Sequence, residues 1–391
     1  MRCARGPPQG QAGPLGLVPG TDMPWVEFLG RVWEALTRRV DSFLFGCALA
    51  LVGVGIVTLF SAADQSTARV TNQLLSFGFA LALMWVVANI PPQTLARAAV
   101  PLYVLGVLLL IGVALFGVVV NGSRRWLNLG VARIQPSELM KIALPLMLAW
   151  YFQKFEGRIG WKDFAIAAVL IVVPVYLIKR QPDLGTSLLI AASGFYVLFL
   201  AGLSWKVIVG LAAGGAAAGP FLWSHLHDYQ RERILTFLDP GRDPLGAGYH
   251  STQASIAIGS GGVIGKGWLN GTQTHLDFLP ERHTDFIFAV FGEEFGLIGN
   301  GLLLVLYILL IGRAMVITAN ASTLFARLLA GAVTLMFFTY AFVNMGMVSG
   351  ILPVVGVPLP LLSYGGTALV SLFIGLGILM SVQAHRKLVN T

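Results

Sequence analysis

Apolar runs close to the length of a membrane-spanning helix recur along this chain, and they limit its fold more than any other feature. A helix needs about 20 apolar residues to cross roughly 30 Å of hydrocarbon, and a spanning helix satisfies its own backbone there. Ten such runs can be counted, at 43–61, 70–90, 98–120, 136–152, 163–180, 182–201, 207–224, 286–312, 326–348 and 366–383. The sequence therefore predicts an all-α polytopic membrane protein with about ten transmembrane helices.

Basic residues are unequally divided between the two ends of these segments. One side has twelve, Arg31, Arg38, Arg39, Arg97, Lys154, Arg158, Lys162, Lys206, Arg313, Arg327, Arg386 and Lys387. The other side has six, Arg69, Arg124, Arg125, Arg133, Lys179 and Arg180. Because the richer side is normally cytoplasmic, both termini are predicted to be cytoplasmic, with a large extracytoplasmic loop, 225–284, between helices seven and eight.

The predicted domain organisation follows from these segments. Residues 1–42 form a cytoplasmic N-terminal segment, 43–383 a ten-helix membrane domain that includes the outer loop, and 384–391 a cytoplasmic tail. Residues 1–22 hold nine Gly or Pro and no continuous apolar core, so disorder is expected there rather than a signal peptide. An alternative is that translation begins at Met23.

Composition excludes several functions. The net charge of +8 comes from basic residues scattered at helix ends rather than from a basic stripe, so nucleic acid is not an expected partner. Cys3 and Cys47 have no metal-binding spacing, and the six histidines form no HExxH motif. No metal site is predicted.

A charge cluster at 275–296, "HLDFLPERHTDFIFAVFGEEFG", stands out in a chain with only 11% charged residues. Asp285 lies where the long loop becomes the eighth helix. It can be a carboxylate stabilised at a helix start, or a general base near a reacting hydroxyl. Both interpretations stay open at this point. Asp277, Glu281 and Arg282 are expected on a solvated loop face.

Three charged residues are predicted inside membrane segments. Lys141 lies about 7 Å inside the fourth segment and is either functional or neutralised by an i, i+3 pair with Glu138. Glu293 lies about 80° around its helix from Asp285, and Glu294 about 180°. Glu293 is therefore the candidate to face the Asp285 site, and Glu294 is expected to pack against a basic side chain.

Other outer segments supply cations and irregular backbone. Arg124, Arg125 and Trp126 lie in one outer loop, and Lys179 and Arg180 in another. Helix N-termini beside such cations would attract an anion such as a pyrophosphate. The last outer loop, "GILPVVGVPLPLLSYGG", is too irregular for a lipid-exposed position, so it is expected to be covered by protein or to line a cavity.

Several segments of the chain resemble those of a known family. The strings "NGSRRWLNLG", "QPSELMKIALPLM", "QPDLGTS", "IAIGSGGVIGKGW", "FLPERHTDFIFAV", "GEEFGLIG" and "GMVSGILPVVGVPLPLLSYGG" are similar to the SEDS family of bacterial cell-wall polymerases, in order from about residue 42 onward. Val355 stands where division members typically have lysine, so the resemblance is to the elongation branch.

The resemblance implies a peptidoglycan glycosyltransferase of the bacterial inner membrane, active on its periplasmic face. Such enzymes polymerise lipid II during cell elongation, with inversion and with undecaprenyl pyrophosphate as leaving group. Asp285 matches the essential family aspartate, proposed as the base. Asp277 stands where relatives often have glutamate. The candidate substrate-binding residues are Lys141, Arg124, Arg125, Trp126, Glu281, His283, Lys179, Arg180 and Glu293.

Partners and competing functions also follow from the resemblance. The expected partners are lipid II, the undecaprenyl-pyrophosphate-linked glycan, a class B penicillin-binding protein that crosslinks the product, and elongation-complex membrane proteins. No cofactor is evident, although a divalent cation can accompany a pyrophosphate substrate. A lipid II flippase and a non-catalytic scaffold for the transpeptidase remain the alternatives.

Overall fold

The computed structural model describes residues 39–120, 123–128, 133–181, 183–225, 228–239, 247–276, 279 and 281–386. The predictions for the N-terminal segment before Arg39, including a start at Met23, lie outside the described residues, as do those for Asp277 and for the tail from 387 onward.

Helices make up most of the described chain. They are α1 (Ser42–Ala62), α2 (Thr67–Asn89), α3 (Pro92–Phe116), α4 (Pro136–Lys154), α5 (Trp161–Lys179), α6 (Leu184–Leu200), α7 (Trp205–Ala217), α8 (Gly219–His225), α9 (Asp228–Leu238), α10 (Ala247–Ser260), α11 (Thr272–His275), α12 (Ile287–Ala319), α13 (Leu324–Val348) and α14 (Gly366–Ala384).

Seven described helices, α1, α2, α3, α5, α12, α13 and α14, are long and apolar enough to cross a membrane. The predicted class, a mostly helical multi-pass membrane protein, is therefore confirmed. The other three predicted segments correspond to the charged α4, the 17-residue α6 and a pair of short helices, α7 and α8. A count of ten transmembrane helices stays a prediction.

A small antiparallel sheet corrects the predicted helix at 98–120. Helix α3 ends at Phe116, and the next residues form β1 (Val118–Val120), which pairs with β2 (Ser123–Asn128). Strand β2 pairs in turn with β3 (Arg133–Ile134). Three consecutive valines favour an extended backbone, so the helix does not continue through them. The fold is thus helical with one three-stranded sheet rather than purely helical.

The loop between α13 and α14, residues 349–365, packs into the helix bundle over residues 357–363, whereas 349–351 and Gly356 are exposed. Its residues Val357, Leu359 and Leu362 are buried. Helix α1 approaches this loop so closely that a Cβ on Gly55 would lie 2.8 Å from the Leu362 Cα. The 357–363 part of this irregular backbone is covered by protein, as predicted, and the 349–356 part is half-buried or exposed.

Helix α12 is broken at Gly296, which has φ 64° and ψ −162°. An unbroken helix would join the Leu297 and Ile298 amides to the Glu293 and Glu294 carbonyls. Here those amides donate to Gly262 and Val263 at 3.0 and 3.1 Å, and the two carbonyls accept from Lys266 and Gly267, each at 3.0 Å. The segment 261–267, termed the insertion loop below, therefore takes over both interrupted hydrogen bonds.

Candidate active site

Asp285 lies in a tight turn, residues 281–286, that leads into α12. The turn is closed by the Thr284 and Phe286 amides, which donate to the Glu281 carbonyl at 3.1 and 3.3 Å. Phe286 holds the N-cap position of α12, so Asp285 precedes the cap rather than occupying it. Glu281 is exposed, and its carboxylate accepts from the Thr284 hydroxyl at 2.8 Å.

Three consecutive backbone carbonyls of this turn are held from outside it. The His283 carbonyl accepts from the Tyr364 amide at 2.9 Å. The Thr284 carbonyl accepts from the Ser363 hydroxyl at 2.6 Å, and the Asp285 carbonyl from the Asn344 side-chain amide at 2.8 Å. Helix α13 and the 349–365 loop therefore fix the backbone of Asp285 on both sides.

The 349–365 loop also approaches the Asp285 carboxylate. A Cβ on Gly356 would lie 3.3 Å from Asp285 Oδ2, and Gly356 has φ +76°. Glycine adopts this left-handed conformation without the steric cost of other residues. Because Gly356 has no side chain, the loop comes close to the carboxylate without crowding it.

The start of α6 reaches the same loop from another direction. A Cβ on Gly185 would lie 2.8 Å from the Val355 carbonyl oxygen, next to Gly356. Asp183 caps this helix by accepting from the Thr186 amide at 3.1 Å, and Arg125 of β2 lies 3.7 Å from Asp183. A basic side chain and a helix N-terminus are thereby brought towards the Asp285 turn.

Lys141 forms the ion pair with Glu138 that the sequence offered as an alternative, at 2.6 Å, and both are largely buried. Ser371 donates to the other Glu138 oxygen at 2.6 Å, and the Lys141 ammonium lies 5.1 Å from the Tyr340 ring centroid. Because Tyr340 and Asn344 are one turn apart on α13, this pair lies below the residue that binds the Asp285 carbonyl.

His283 is half-buried beside the Tyr364 ring, with 5.9 Å between ring centroids. Burial lowers the pKa of the imidazole, and the charges of Arg69 and Arg282 lower it further, against an opposing effect of Glu281. His283 therefore favours the neutral form, which can donate or accept a hydrogen bond.

Arg69 is a cation at this site that the sequence interpretation did not select. It lies one turn before Gln73 on α2. The Gln73 side chain donates to the Ser363 carbonyl and accepts from the Gly365 amide, both at 3.3 Å, and so contacts the residues on either side of Tyr364. The sequence shows only that Arg69 and Gln73 are spaced i, i+4 and so share one face of a helix. It does not show that this face meets the segment around Ser363, almost 300 residues away.

The remaining basic and aromatic candidates lie at the surface or in the sheet. Arg124 is exposed and Trp126 half-buried, and they pair with Val119 and Val118 of β1. Lys179 and Arg180 are exposed at the end of α5, where Arg180 lies 5.2 Å from the Tyr176 ring centroid. Their roles in substrate binding stay predictions.

Glu293 does not face the Asp285 turn as a free carboxylate. One oxygen accepts from Lys266 at 2.7 Å and from the Gln273 amide at 2.9 Å, and the other from the amide and hydroxyl of Thr274 at 3.2 and 3.0 Å. Glu294, next to it, accepts from the Ser61 hydroxyl. These contacts give Glu293 a structural role, and its part in substrate binding stays a prediction.

Arg282 corrects another expectation. It is buried rather than solvated, and it donates to the Thr274 carbonyl and to Asp64. Arg282 joins the outer loop to the end of α1, and its contacts lie 8 and 218 positions away in the chain.

Among the described residues, no group of three or more His, Cys, Asp or Glu could hold a metal ion. A divalent cation that accompanies a pyrophosphate substrate therefore stays a prediction without assigned ligands.

The fold and this site define a multi-pass membrane protein with an acidic residue held in a turn between helices and a partly buried loop. The chain belongs to the FtsW/RodA/SpoVE family of cell cycle proteins, whose family model matches residues 41–388. This confirms the family resemblance found in the sequence.

Two curated relatives illustrate the similarity. The peptidoglycan glycosyltransferase MrdB of Escherichia coli K12 is 52% identical over 92% of this chain and 96% of its own length. The MrdB of Helicobacter pylori 26695 is 36% identical over 90% of this chain and 93% of its own.

Two solved structures are also similar. A chain from a peptidoglycan synthase complex that coordinates polymerization and crosslinking has a TM-score of 0.78 at 34% identity, covering 89% of this chain and 99% of that one. The rod shape determining protein RodA of Thermus thermophilus has a TM-score of 0.67 at 32% identity, covering 89% of this chain and 97% of that protein.

Proposed function

We propose that this protein is a peptidoglycan glycosyltransferase that polymerises lipid II during cell elongation. The observation that carries the proposal is the Asp285 turn, whose three carbonyls are held by Tyr364, Ser363 and Asn344 while Gly356 makes room for the carboxylate. Relatives named peptidoglycan glycosyltransferase, at up to 52% identity over most of both chains, support it.

In the proposed reaction, Asp285 accepts the proton of the acceptor sugar hydroxyl. The hydroxyl oxygen then bonds to the anomeric carbon of the donor, and the bond from that carbon to the pyrophosphate oxygen breaks. Attack opposite the leaving group inverts the configuration. The leaving pyrophosphate is already a stabilised anion, so a second carboxylic acid is not required, unlike in glycosidases.

Cations stabilise the charge that develops on the departing pyrophosphate. Arg125 lies beside the α6 N-terminus, which contacts the loop next to Gly356, and Arg69 acts electrostatically on His283 in the Asp285 turn. Arg125 and Arg69 are therefore proposed to act on the leaving group, with Lys141, Arg124, Lys179 and Arg180 as further candidates.

The proposed location is the bacterial inner membrane, with both termini cytoplasmic and the Asp285 turn periplasmic, as the distribution of basic residues predicts. The proposed partner is a class B penicillin-binding protein that crosslinks the product. The similarity to a chain of a complex that coordinates polymerization with crosslinking supports this partner.

The experiment is glycan synthesis from lipid II by the purified protein, with and without its cognate class B partner. Wild type is compared with Asp285→Asn, which keeps the side-chain size but removes the base, and with Glu156→Gln, an exposed acid in the turn after α4. We expect product from wild type and Glu156→Gln only. Product from a folded Asp285→Asn variant would reject the base assignment, and no product from wild type would reject the polymerase.

A further inference from the structure

Asn344 is a buried polar side chain of α13 that connects the two segments around the Asp285 carboxylate. Its side-chain amide nitrogen donates to the Asp285 carbonyl at 2.8 Å and to the Val357 carbonyl at 2.6 Å. Val357 directly follows Gly356, whose Cβ position lies 3.3 Å from Asp285 Oδ2. The Asn344 amide group therefore bonds both to Asp285 and to Val357, the residue next to Gly356.

The chemistry of this contact is directional. Both acceptors are carbonyl oxygens, so only the NH2 end of the Asn344 amide can face them. The Asn344 side-chain oxygen is buried and has no hydrogen-bond partner among the described residues. An unsatisfied buried acceptor costs free energy, which indicates that the position is not optimised for stability alone.

The surroundings leave Asn344 little freedom. Its residue is fully buried, and one turn earlier on the same helix Tyr340 packs against Val357 and Leu189. Two side chains of α13 thus contact Val357: Tyr340 packs against its side chain, and Asn344 donates to its carbonyl. The polar contact is the one that also reaches Asp285.

We propose that Asn344 is a positioning residue for the Asp285 carboxylate. By bonding to the Asp285 and Val357 carbonyls together, it sets the separation between the catalytic turn and the loop at Gly356, and so the place and direction of the carboxylate. It acts through Asp285 and does not contact the reacting atoms. This inference rests on the proposed function of Asp285.

The test compares Asn344→Leu, which has a similar size and no donor, with Thr334→Val. Thr334 is a fully buried residue of the same helix whose hydroxyl donates to the Ala330 carbonyl at 2.8 Å. Both substitutions remove a buried polar group from α13, but only Asn344 touches the Asp285 turn. The readouts are the thermal midpoint in detergent, and kcat and KM for lipid II.

We expect both variants to have a lower thermal midpoint, with kcat reduced only in Asn344→Leu. A misplacement of about 1 Å can lower a rate on the order of 100-fold, so we expect a loss of about 10- to 100-fold in kcat with KM nearly unchanged. A folded Asn344→Leu variant with wild-type kcat would overturn the proposal, and so would an equal loss of kcat in Thr334→Val.

Ser363→Ala keeps the proposal testable if Asn344→Leu does not fold. It removes only the hydroxyl that donates to the neighbouring Thr284 carbonyl and accepts from the Leu359 amide. Asn344→Ser, which is smaller and keeps a hydroxyl donor too short to bridge both carbonyls, is measured beside it. Reduced kcat with unchanged KM in both supports positioning of the turn by its carbonyl contacts, whereas wild-type kcat in a folded Asn344→Ser variant overturns the proposal. Wild-type and Asp285→Asn activities, measured in parallel, show separately whether the function of Asp285 itself holds.

Discussion

Asp285 and Gly356 come from segments 71 positions apart, yet a Cβ placed on Gly356 would lie 3.3 Å from Asp285 Oδ2. A side chain at this position would therefore crowd the carboxylate and require it to shift by a few tenths of an ångström. The φ of +76° at Gly356 also favours glycine, because residues with a side chain adopt this left-handed conformation at a steric cost.

Gly356→Ala should reduce activity more than it reduces stability. The new methyl group strains the backbone by roughly 1–2 kcal/mol and also displaces the carboxylate. Gly350→Ala is the matched control, because Gly350 has φ +73° but its Cβ would lie 3.6 Å from a Ser255 hydroxyl, away from Asp285. We expect similar thermal midpoints and a lower kcat only for Gly356→Ala; equal kcat values would contradict the steric role.

Gly265→Ala should release the insertion loop from α12. Its Cβ would lie 2.1 Å from the Glu294 carbonyl oxygen, a distance that requires the loop to move. Gly262→Ala is the control, since Gly262 also has a positive φ, +57°, but has nothing within 4 Å of its Cβ. Hydrogen exchange should increase at the Leu297 and Ile298 amides in Gly265→Ala alone. Unchanged protection there would mean that the loop tolerates the methyl group.

Lys266→Met should destabilise the protein through Glu293. Glu293 is fully buried, and the substitution leaves its charge without the Lys266 partner. Breaking a buried pair costs about 3–5 kcal/mol, although partial exposure of Lys266 lowers this to roughly 2 kcal/mol. Lys266→Met combined with Glu293→Gln should be more stable than Lys266→Met alone. Thermal unfolding of Lys266→Met, Glu293→Gln and the double variant measures this, and additive losses would refute the coupling.

His283 should make the protein less stable in mild acid. Its folded pKa is lowered below 6.5, so the unfolded state takes up a proton first as the pH falls. Stability is then fully present above 6.5 and decreases as the pH falls below that value. In thermal unfolding from pH 8 to 5, His283→Gln should lose this part of the pH dependence. Identical slopes for wild type and variant would exclude it.

Arg125→Glu should raise KM for lipid II with little change in kcat. Loss of one charge-assisted contact costs about 1.5–3 kcal/mol, or roughly tenfold or more in affinity. Arg158→Glu, an exposed reversal after α4, is expected to leave the kinetics unchanged. A folded Arg125→Glu variant with wild-type KM would remove Arg125 from the site.

Much of the helical architecture could be predicted from the apolar segments, because a membrane helix is defined by local composition. The predicted ranges 43–61 and 366–383 correspond closely to α1 and α14. The three-stranded sheet was missed because its first and third strands have three and two residues, too few to show a period. The break at Gly296 was missed because the apolar run continues through it and its replacement hydrogen bonds come from another segment.

The site was predicted only in part. Asp285 could be selected because a carboxylate at the boundary of an apolar run is conspicuous in sequence. Asn344 and Ser363 could not be selected, because the residues to which they bond in the Asp285 turn lie 59 and 79 positions away in the sequence, respectively. Arg282 looked like a solvated loop residue because nothing near it in sequence reveals Asp64 as its partner.

The break in α12 has a mechanical consequence. The first part of this helix, 287–295, starts two residues after Asp285, and its Glu293 and Glu294 carbonyls accept hydrogen bonds from amides of the insertion loop. Two backbone hydrogen bonds and the Lys266–Glu293 side-chain contact join the loop to the 287–295 part, and two further backbone hydrogen bonds join it to Leu297 and Ile298. The insertion loop therefore bonds to both parts of the broken helix, so a displacement of this loop reaches the part that begins two residues after Asp285 as well as the 297–319 part.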